Sequence, residues 1–219
     1  PHEAGLEAKI SCSDVEVGPL LLAAPSCSVP VQGGIVSGSS MALCAHLLGR
    51  GASVVARRRA LELGAGRGLV GLSLARTGMQ VELTDLEPAV CQALLASVAA
   101  GDASAGPTPT VRQLDWDDGL ASAELAQEAG LLLGAELLWA DDAVEPLWEA
   151  VAPAILDHGW EFVYGASRRP SNCTFVQLLA EAEGTQVSTS TWLVRQNCAR
   201  CSGWRTMEEC DVVSWRQAA

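Results

Sequence analysis

The sequence is poor in basic residues, and above all in lysine. Its 219 residues include 14 lysines and arginines against 26 aspartates and glutamates, a formal net charge of −12 at pH 7. Lys9 is the only lysine, so catalysis through a Schiff base or a lysine general base is nearly excluded. Since phosphate backbones are bound by clustered lysines and arginines, we expect no nucleic-acid partner. The acidic field instead favours a basic protein or peptide as partner.

The sequence also lacks a long apolar run and a secretory signal. No apolar stretch reaches the roughly 20 residues that span a bilayer, and no basic region followed by an apolar core opens the chain. Its eight cysteines are scattered, which argues against a disulfide framework in a chain of this length. We therefore expect no membrane partner and a location in the reducing cytoplasm, with the nucleus as the alternative. The glycosylation pattern at Asn172-Cys-Thr174 is then expected to be idle.

No metal site is expected, although cysteines cluster towards the end of the chain. Cys198, Cys201 and Cys210 supply three thiols. A structural zinc needs four ligands, and the three histidines lie elsewhere in the sequence. We interpret this segment as an extension between the last two strands.

The stretch from Arg59 to Gly71 is the most informative part of the sequence. A short apolar run ends at Leu63 and leads directly into Gly64, Gly66 and Gly68, and the apolar residues 69–75 follow at once. This order predicts a buried strand, a tight turn and the start of a helix. Glycines suit such a turn because they adopt positive φ and let the backbone approach a ligand closely.

Two cofactors fit this glycine pattern. Gly66-x-Gly68-x-x-Gly71 is typical of dinucleotide binding, whereas Glu62-Leu-Gly64-x-Gly66-x-Gly68 is typical of an S-adenosylmethionine loop. We favour the second, because Gly64 stands directly at the end of the strand, where the tight turn is needed. A first glycine at position 66 would come two residues late.

Segments with strand and helix periodicity alternate along the chain. Predicted strands are 59–63, 80–84, 110–114, 131–138, 160–164, 186–194 and 210–215, and predicted helices are 37–48, 69–76, 88–100, 141–156 and 173–182. Asp141 or Asp142 is expected to cap the fourth of these helices. A β-hairpin is predicted at residues 7–22. We expect an N-terminal β extension and loop at 1–33 and one main domain at 34–219.

The alternation predicts an α/β fold with a mostly parallel sheet and helices on both faces. The last two strands have no helix between them, so they must pair antiparallel. A parallel sheet that ends in this way is not the usual dinucleotide fold. It is how the Rossmann-like, seven-stranded methyltransferase sheet ends.

Acidic and aromatic side chains stand at the predicted carboxyl ends of the strands. Asp85 follows the glycine turn by about 20 residues, where an acid accepts both hydroxyls of a ribose; a helix N-cap is the alternative. Asp115 and Trp116 close the third strand, where they suit a flat base with an exocyclic amine, or Trp116 is simply core. Glu136 interrupts an apolar run, so its carboxylate needs a partner or a function; a surface acid is the alternative.

Together these residues resemble the class I methyltransferases of methyltransferase family 16, which contains many protein-lysine methyltransferases. The matching motifs are LELGAGRGLVG (61–71), Thr84-Asp85, Leu114-Asp115-Trp116 and LGAELLW (133–139). The resemblance implies S-adenosylmethionine as cofactor. It assigns cofactor binding to Glu62, Gly64, Gly66, Gly68, Asp85, Leu86, Asp115, Trp116 and Ala135. We also expect the protein to be a monomer.

The resemblance also implies an acceptor site. Glu136 and Trp139 stand where the family usually has Asp and Tyr, beside the acceptor channel, and they are the catalytic candidates. Gly38 stands where the family usually has a tryptophan, which removes a wall of the pocket. The implied activity is methylation of a lysine in a protein. Its alternatives are methylation of a small molecule and cofactor binding without turnover in a regulatory protein.

Overall fold

The computed structural model describes residues 6–12, 15–22, 36–51, 59–101, 106–118, 120, 130–197 and 205–218. Its strands are β1 (Leu6–Cys12), β2 (Val15–Leu22), β3 (Arg59–Leu63), β4 (Gln80–Asp85), β5 (Thr110–Gln113), β6 (Leu131–Ala135), β7 (Glu161–Ser167), β8 (Thr185–Asn197) and β9 (Arg205–Gln217). Its helices are α1 (Gly38–Gly49), α2 (Leu69–Ala75), α3 (Pro88–Ala100), α4 (Val144–Leu156) and α5 (Pro170–Glu181). None of these five helices combines the length and the apolar character that crossing a lipid bilayer requires.

Seven of the strands form one sheet in the order β5-β4-β3-β6-β7-β9-β8. The pairs from β5 to β7 are parallel, and β9 runs antiparallel to both of its neighbours. The chain winds from β3 through β4 to β5 and then returns to β6 on the other side of β3. Ligands of open α/β sheets bind beyond the carboxyl ends of the strands at such a reversal. The predicted mostly parallel α/β fold with an antiparallel end is confirmed.

The strand β3 shows how the sheet separates two layers of core. Ala60 belongs to the buried cluster that includes Leu43 of α1, whereas Leu61 and Leu63 belong to the cluster that includes Leu147 of α4. Successive side chains of a strand point to opposite faces, so a strand covered on both faces is apolar at nearly every position. The unbroken apolar runs in the sequence follow from this arrangement.

The N-terminal strands β1 and β2 form a separate two-stranded sheet. They pair antiparallel from Leu6 opposite Leu22 to Cys12 opposite Val15, so the predicted hairpin is confirmed. The boundary between an extension at 1–33 and a domain at 34–219 stays a prediction.

Several predicted element boundaries are wrong, among them the end of β7 and the start of α5. Strand β6 ends at Ala135, not at residue 138, because Glu136 adopts a φ of 54° and leaves the extended conformation. Asp141 and Asp142 do not cap α4. They lie in a 3₁₀ turn, and Ala143 takes the N-cap position without a side-chain hydrogen bond. Strands β8 and β9 are longer than predicted, at 13 residues each, because their pairing continues past the main sheet.

Candidate active site

A cavity of about 570 Å³ lies at the carboxyl edge of the sheet, where the strand order reverses. This volume is in the usual range of small-molecule sites. The segments that follow β3, β4, β5 and β6 form its wall, together with the starts of α1 and α4. Nine of the eleven predicted site residues line it: Gly64, Gly66, Asp85, Leu86, Asp115, Trp116, Ala135, Glu136 and Trp139.

The glycine loop after β3 has the backbone that its sequence predicts. Gly64, Gly66 and Gly68 have φ values of 53°, 55° and 74°, which side chains disfavour. A Cβ on Gly64 would come within 2.7 Å of Leu137, so the loop packs closely against the segment after β6. The glycines therefore serve both the turn and the close approach of the two cavity walls.

Asp85 connects this loop to the segment after β4. One carboxylate oxygen accepts the N–H of Gly66 at 3.0 Å, and the other accepts the N–H of Glu87 at 3.2 Å. Burial raises the pKa of Asp85, and these backbone donors oppose the rise. Asp85 also lines the cavity. The carboxylate thus supports the loop and borders the space in which a ligand would lie.

Glu62 and Gly68 do not belong to the cavity lining. Glu62 is 3% exposed, and its carboxyl accepts the N–H of Gly71 at 2.8 Å in the first turn of α2. Gly68 is the N-cap of α2 and has no side chain to cap it. Glu62 therefore caps α2 from behind the loop, and the cofactor-binding roles of Glu62 and Gly68 stay predictions. Burial, with a smaller contribution from the charge of Asp85, raises the pKa of Glu62 to about 8.

Trp116 and Asp115 form the wall beyond β5. Trp116 is half-buried, and its ring reaches within 3.9 Å of where a Cβ on Gly64 would lie. The exposed carboxylate of Asp115 accepts the N–H of Asp117 at 3.1 Å. Leu86, which is 51% exposed, completes this side of the cavity. Apolar and acidic groups therefore stand side by side here, and their binding of a base stays a prediction.

The cavity wall is strongly acidic. Within the part of the chain that the structure describes, the lining carries one cationic side chain, Arg67. The carboxylates of the lining are Asp85, Glu87, Asp115, Asp117, Glu136 and Asp142. Such a field opposes a pyrophosphate and attracts a cationic ligand. The acidic wall therefore favours S-adenosylmethionine over a dinucleotide, because the sulfonium gives S-adenosylmethionine a net positive charge.

Glu136 joins three elements of the fold. It is 7% exposed, and its Oε1 accepts the hydroxyl of Ser39 on α1 at 2.6 Å and the backbone N–H of Ser167 at the end of β7. Its Oε2 accepts the hydroxyl of Ser167 at 3.0 Å and faces Nε of Arg169 at 3.6 Å. A carboxylate has about four acceptor positions, and three of them are used by these hydrogen bonds from Ser39 and Ser167. Glu136 interrupts an apolar run in the sequence, and its partners are supplied by residues at distant sequence positions.

Trp139 presents its indole at the rim of the cavity. It is 51% exposed, and the guanidinium of Arg169 lies over its ring at 4.3 Å from the centroid. An aromatic face beside a carboxylate binds cations, by cation–π attraction and by charge. The position between Trp139 and Glu136 therefore holds a cation of the chain itself.

Several site residues were missed by the sequence analysis. Val36, Ser37 and Ser40 line the cavity from the start of α1. Ser37 was recognisable as a helix N-cap, and its hydroxyl accepts the N–H of Ser40 at 3.0 Å. Arg169 had no local signal, because its partners precede it by 30 residues or more. Gly38, the expected gap in the pocket wall, is the buried first residue of α1.

The structure also describes Asn172, from the glycosylation pattern, and one of the three C-terminal cysteines. Asn172 is 1% exposed and accepts the hydroxyl of Tyr164 at 2.5 Å, so its side chain is buried in the fold. Cys210 is buried in β9, whereas Cys198 and Cys201 lie outside the described residues. The described ranges contain no group of side chains that suits a metal ion.

Solved structures share the fold. The magnesium protoporphyrin IX methyltransferase of Synechocystis PCC 6803, solved with bound SAM, aligns with a TM-score of 0.56 at 14% identity and covers 82% of this chain and 80% of its own. A SAM-dependent O-methyltransferase of Thermotoga maritima aligns with a TM-score of 0.52 at 14% identity and covers 84% of this chain and 67% of its own. At such identities the likeness concerns the fold alone.

Two curated proteins are similar in sequence. EEF1A lysine methyltransferase 3 of Xenopus tropicalis is 36% identical over 85 residues, which are 39% of this chain and 36% of that protein. Protein N-lysine methyltransferase METTL21A of Mus musculus is 36% identical over 93 residues, 42% of each chain. The chain thus spans less than half the length of the curated relatives it matches.

A family model described as lysine methyltransferase matches residues 31–182. This range contains the glycine loop, Asp85, Asp115, Trp116 and the segment of Glu136. The match confirms the resemblance found in the sequence and S-adenosylmethionine as the predicted cofactor. Because it covers more than half of the chain, this chain belongs to the lysine methyltransferase family.

Proposed function

We propose that this protein methylates the side-chain amine of a lysine in a protein substrate. The observation that carries the proposal is the acidic cavity at the carboxyl edge of the sheet, closed by a glycine loop on one side and by Trp139 on the other. The names of the curated relatives support a protein lysine as acceptor. The substrate we expect is a basic segment, met by a monomer in the cytoplasm or the nucleus.

The cofactor side of the cavity suits S-adenosylmethionine. Bound there, the cofactor would supply a methyl group on a positively charged sulfur. Asp85 would accept hydrogen bonds from the ribose hydroxyls, and Trp116 would pack on the adenine beside Asp115. The loop at Gly64 and Gly66 would lie against the methionine part. Glu62, which lies behind the loop, would act only by holding α2 in place.

On the acceptor side of the cavity, the acidic wall and the indole of Trp139 at the rim would bind the acceptor amine. An ammonium is attracted by the acidic wall and by the indole face. The amine must lose its proton before it reacts, and water is the proton acceptor we propose. Glu136 is poorly suited to be the general base, because three hydrogen bonds from Ser39 and Ser167 stabilise its charged form. Its contribution would be electrostatic and positional, as in enzymes that act mainly by alignment.

The proposal is tested by incubating the protein with methyl-labelled S-adenosylmethionine and a proteome lysate, followed by mass spectrometry of tryptic peptides. We expect methylated lysine in one or a few proteins. An Asp85→Ala variant serves as the control for cofactor-dependent labelling. Label that appears only in small metabolites would support the small-molecule alternative. Cofactor binding without labelling of any lysate component would support the regulatory alternative.

Cofactor choice is tested separately by calorimetric titration. We expect S-adenosylmethionine and S-adenosylhomocysteine to bind and NAD not to bind. Because the cavity wall is acidic, we expect the cationic S-adenosylmethionine to bind at least as tightly at low salt as S-adenosylhomocysteine, whose sulfur is neutral. Binding of NAD but not of S-adenosylhomocysteine would contradict the methyltransferase assignment itself.

A further inference from the structure

Arg169 lies where the proposed reaction needs the acceptor. It follows β7 and precedes α5, and its guanidinium reaches back over the indole of Trp139 at 4.3 Å. Its Nε faces Oε2 of Glu136 at 3.6 Å. Both Trp139 and Glu136 line the cavity. The chain thus fills, with its own cation, the position that an incoming ammonium would take between an aromatic face and a carboxylate.

Arg169 is held there less firmly than Glu136 is. Its side chain is 43% exposed, and 3.6 Å is an ion-pair distance that is too long for a hydrogen bond. Exposed ion pairs of this kind contribute little to stability. The hydrogen bonds of Glu136 to Ser39 and Ser167 do not involve Arg169. The guanidinium is therefore able to leave while the carboxylate stays in place.

We propose that Arg169 is an internal competitor for the acceptor subsite: the substrate lysine displaces it from Trp139 and Glu136 and takes its position. This inference rests on the proposed function. It defines the acceptor subsite by two contacts, a cation–π face and a carboxylate that orients without taking a proton. It also makes Arg169 a specificity-determining residue, because only a cationic side chain competes with a guanidinium for this position.

The inference predicts that Arg169→Lys makes the protein its own substrate. The new amine would stand in the acceptor subsite, lose its proton to water and attack the methyl carbon of added S-adenosylmethionine. The nitrogen–carbon bond forms as the carbon–sulfur bond breaks, and the electron pair remains on sulfur to give S-adenosylhomocysteine. Because Lys9 is the only native lysine, mass spectrometry of the intact and digested protein assigns the methyl without ambiguity.

The neighbouring arginine provides a matched control. Arg168 pairs with Glu209 at 2.5 Å and with Asp211 at 3.3 Å, on the side of β9. An Arg168→Lys variant has the same composition and an amine one residue away, outside the subsite. We expect methylation at position 169 in the first variant, at a rate independent of protein concentration. We expect none at position 168 in the control and none at Lys9 in either.

A measurement without cofactor tests the same position. With ¹³C-labelled lysine, the Arg169→Lys protein has two lysine side chains to observe by NMR, the new one and Lys9. Over an indole ring and beside a carboxylate, the new Cε signal should be shifted upfield and should titrate at a higher pH than the lysine of an unstructured peptide. A signal that coincides with the peptide lysine in both respects would show an amine in free solution and would overturn the inference.

The outcomes separate this inference from the proposed function. If the wild-type protein labels a lysate lysine but position 169 stays unmodified in Arg169→Lys, the inference is wrong and the function stands. Equal methylation at positions 168 and 169 would also overturn it, because it would show unspecific reaction of exposed amines. If the wild-type protein labels no protein lysine and neither variant labels itself, the proposed function fails as well.

Discussion

The carboxyl group of Glu62 on β3 accepts the backbone N–H of Gly71 in the first turn of α2, at 2.8 Å. This contact explains two features of one sequence motif. A Cβ on Gly71 would lie 2.6 Å from the same carboxyl oxygen, so position 71 must be glycine for Glu62 to reach the helix. The acid and the last glycine of the motif therefore form one structural unit behind the cofactor loop.

The first prediction concerns stability against pH. Burial raises the pKa of Glu62 from 4.5 to about 8, so between these values the folded state holds a proton that the unfolded state has released. The stability contributed by Glu62 is complete below the unfolded pKa and is lost as the pH rises towards 8. Glu62→Gln should therefore flatten the fall in Tm between pH 5 and 9, with a gain on the order of 5 °C at pH 9.

This prediction is checked by calorimetric or fluorescence melts across the pH range, with Glu149→Gln as the exposed control. The control should follow the wild-type curve. A Glu62→Gln protein whose Tm depends on pH as steeply as the wild type would show that Glu62 is ionised when buried.

The second prediction concerns Gly71→Ala. The added methyl would meet Leu83, the Glu62 carboxyl at 2.6 Å and Val81 at 2.9 Å, where β3 and β4 pack against α2. We expect a loss of about 1–3 kcal/mol in the free energy of unfolding, as for other overpacked sites. Gly49→Ala, in an exposed helical position, should instead be neutral or stabilising. Urea titration of both variants decides the matter, and equal stabilities would contradict the packing argument.

The third prediction concerns cofactor affinity. Asp85→Ala should weaken S-adenosylmethionine binding by about 1–3 kcal/mol, because it removes charged hydrogen bonds to the ribose. It also removes the acceptor of the Gly66 N–H, so the loop should lose stability too. Asp157→Asn, at an exposed position beyond α4, is the control for a changed net charge. Titration calorimetry that finds the affinity of Asp85→Ala unchanged would exclude a ribose role.

The fourth prediction concerns Glu136→Ala. We expect cofactor affinity to stay nearly unchanged and methyl transfer to fall by roughly tenfold or more, at least about 1.4 kcal/mol in the transition state. Because the change leaves Ser39 and Ser167 without their acceptor, it should also cost about 1–3 kcal/mol of stability. The measurements are turnover with labelled cofactor, calorimetry and a denaturant titration.

Asp142→Asn is the matched control, since it also removes a carboxylate from the cavity lining, but an exposed one. If Glu136→Ala is fully active, the acceptor-side role of Glu136 is wrong. If the free energy of unfolding of Glu136→Ala also equals that of the wild type, the hydrogen bonds around Glu136 contribute nothing to stability in solution.

The sequence by itself determined the parts of this protein that depend on neighbours along the chain. Strand β3, the turn at Gly64–Gly68 and helix α3 follow from apolar periodicity and from the backbone freedom of glycine, and all were predicted within a residue. The cavity position followed too, because strand ends of a parallel sheet meet at one edge. Only the tertiary structure decided what buried charges do. Glu62 accepts a hydrogen bond from Gly71, and Glu136 contacts Ser39 and Arg169. A buried carboxylate needs hydrogen-bond donors or cations, and these come from residues that are distant in sequence. Sequence periodicity does not predict such partners.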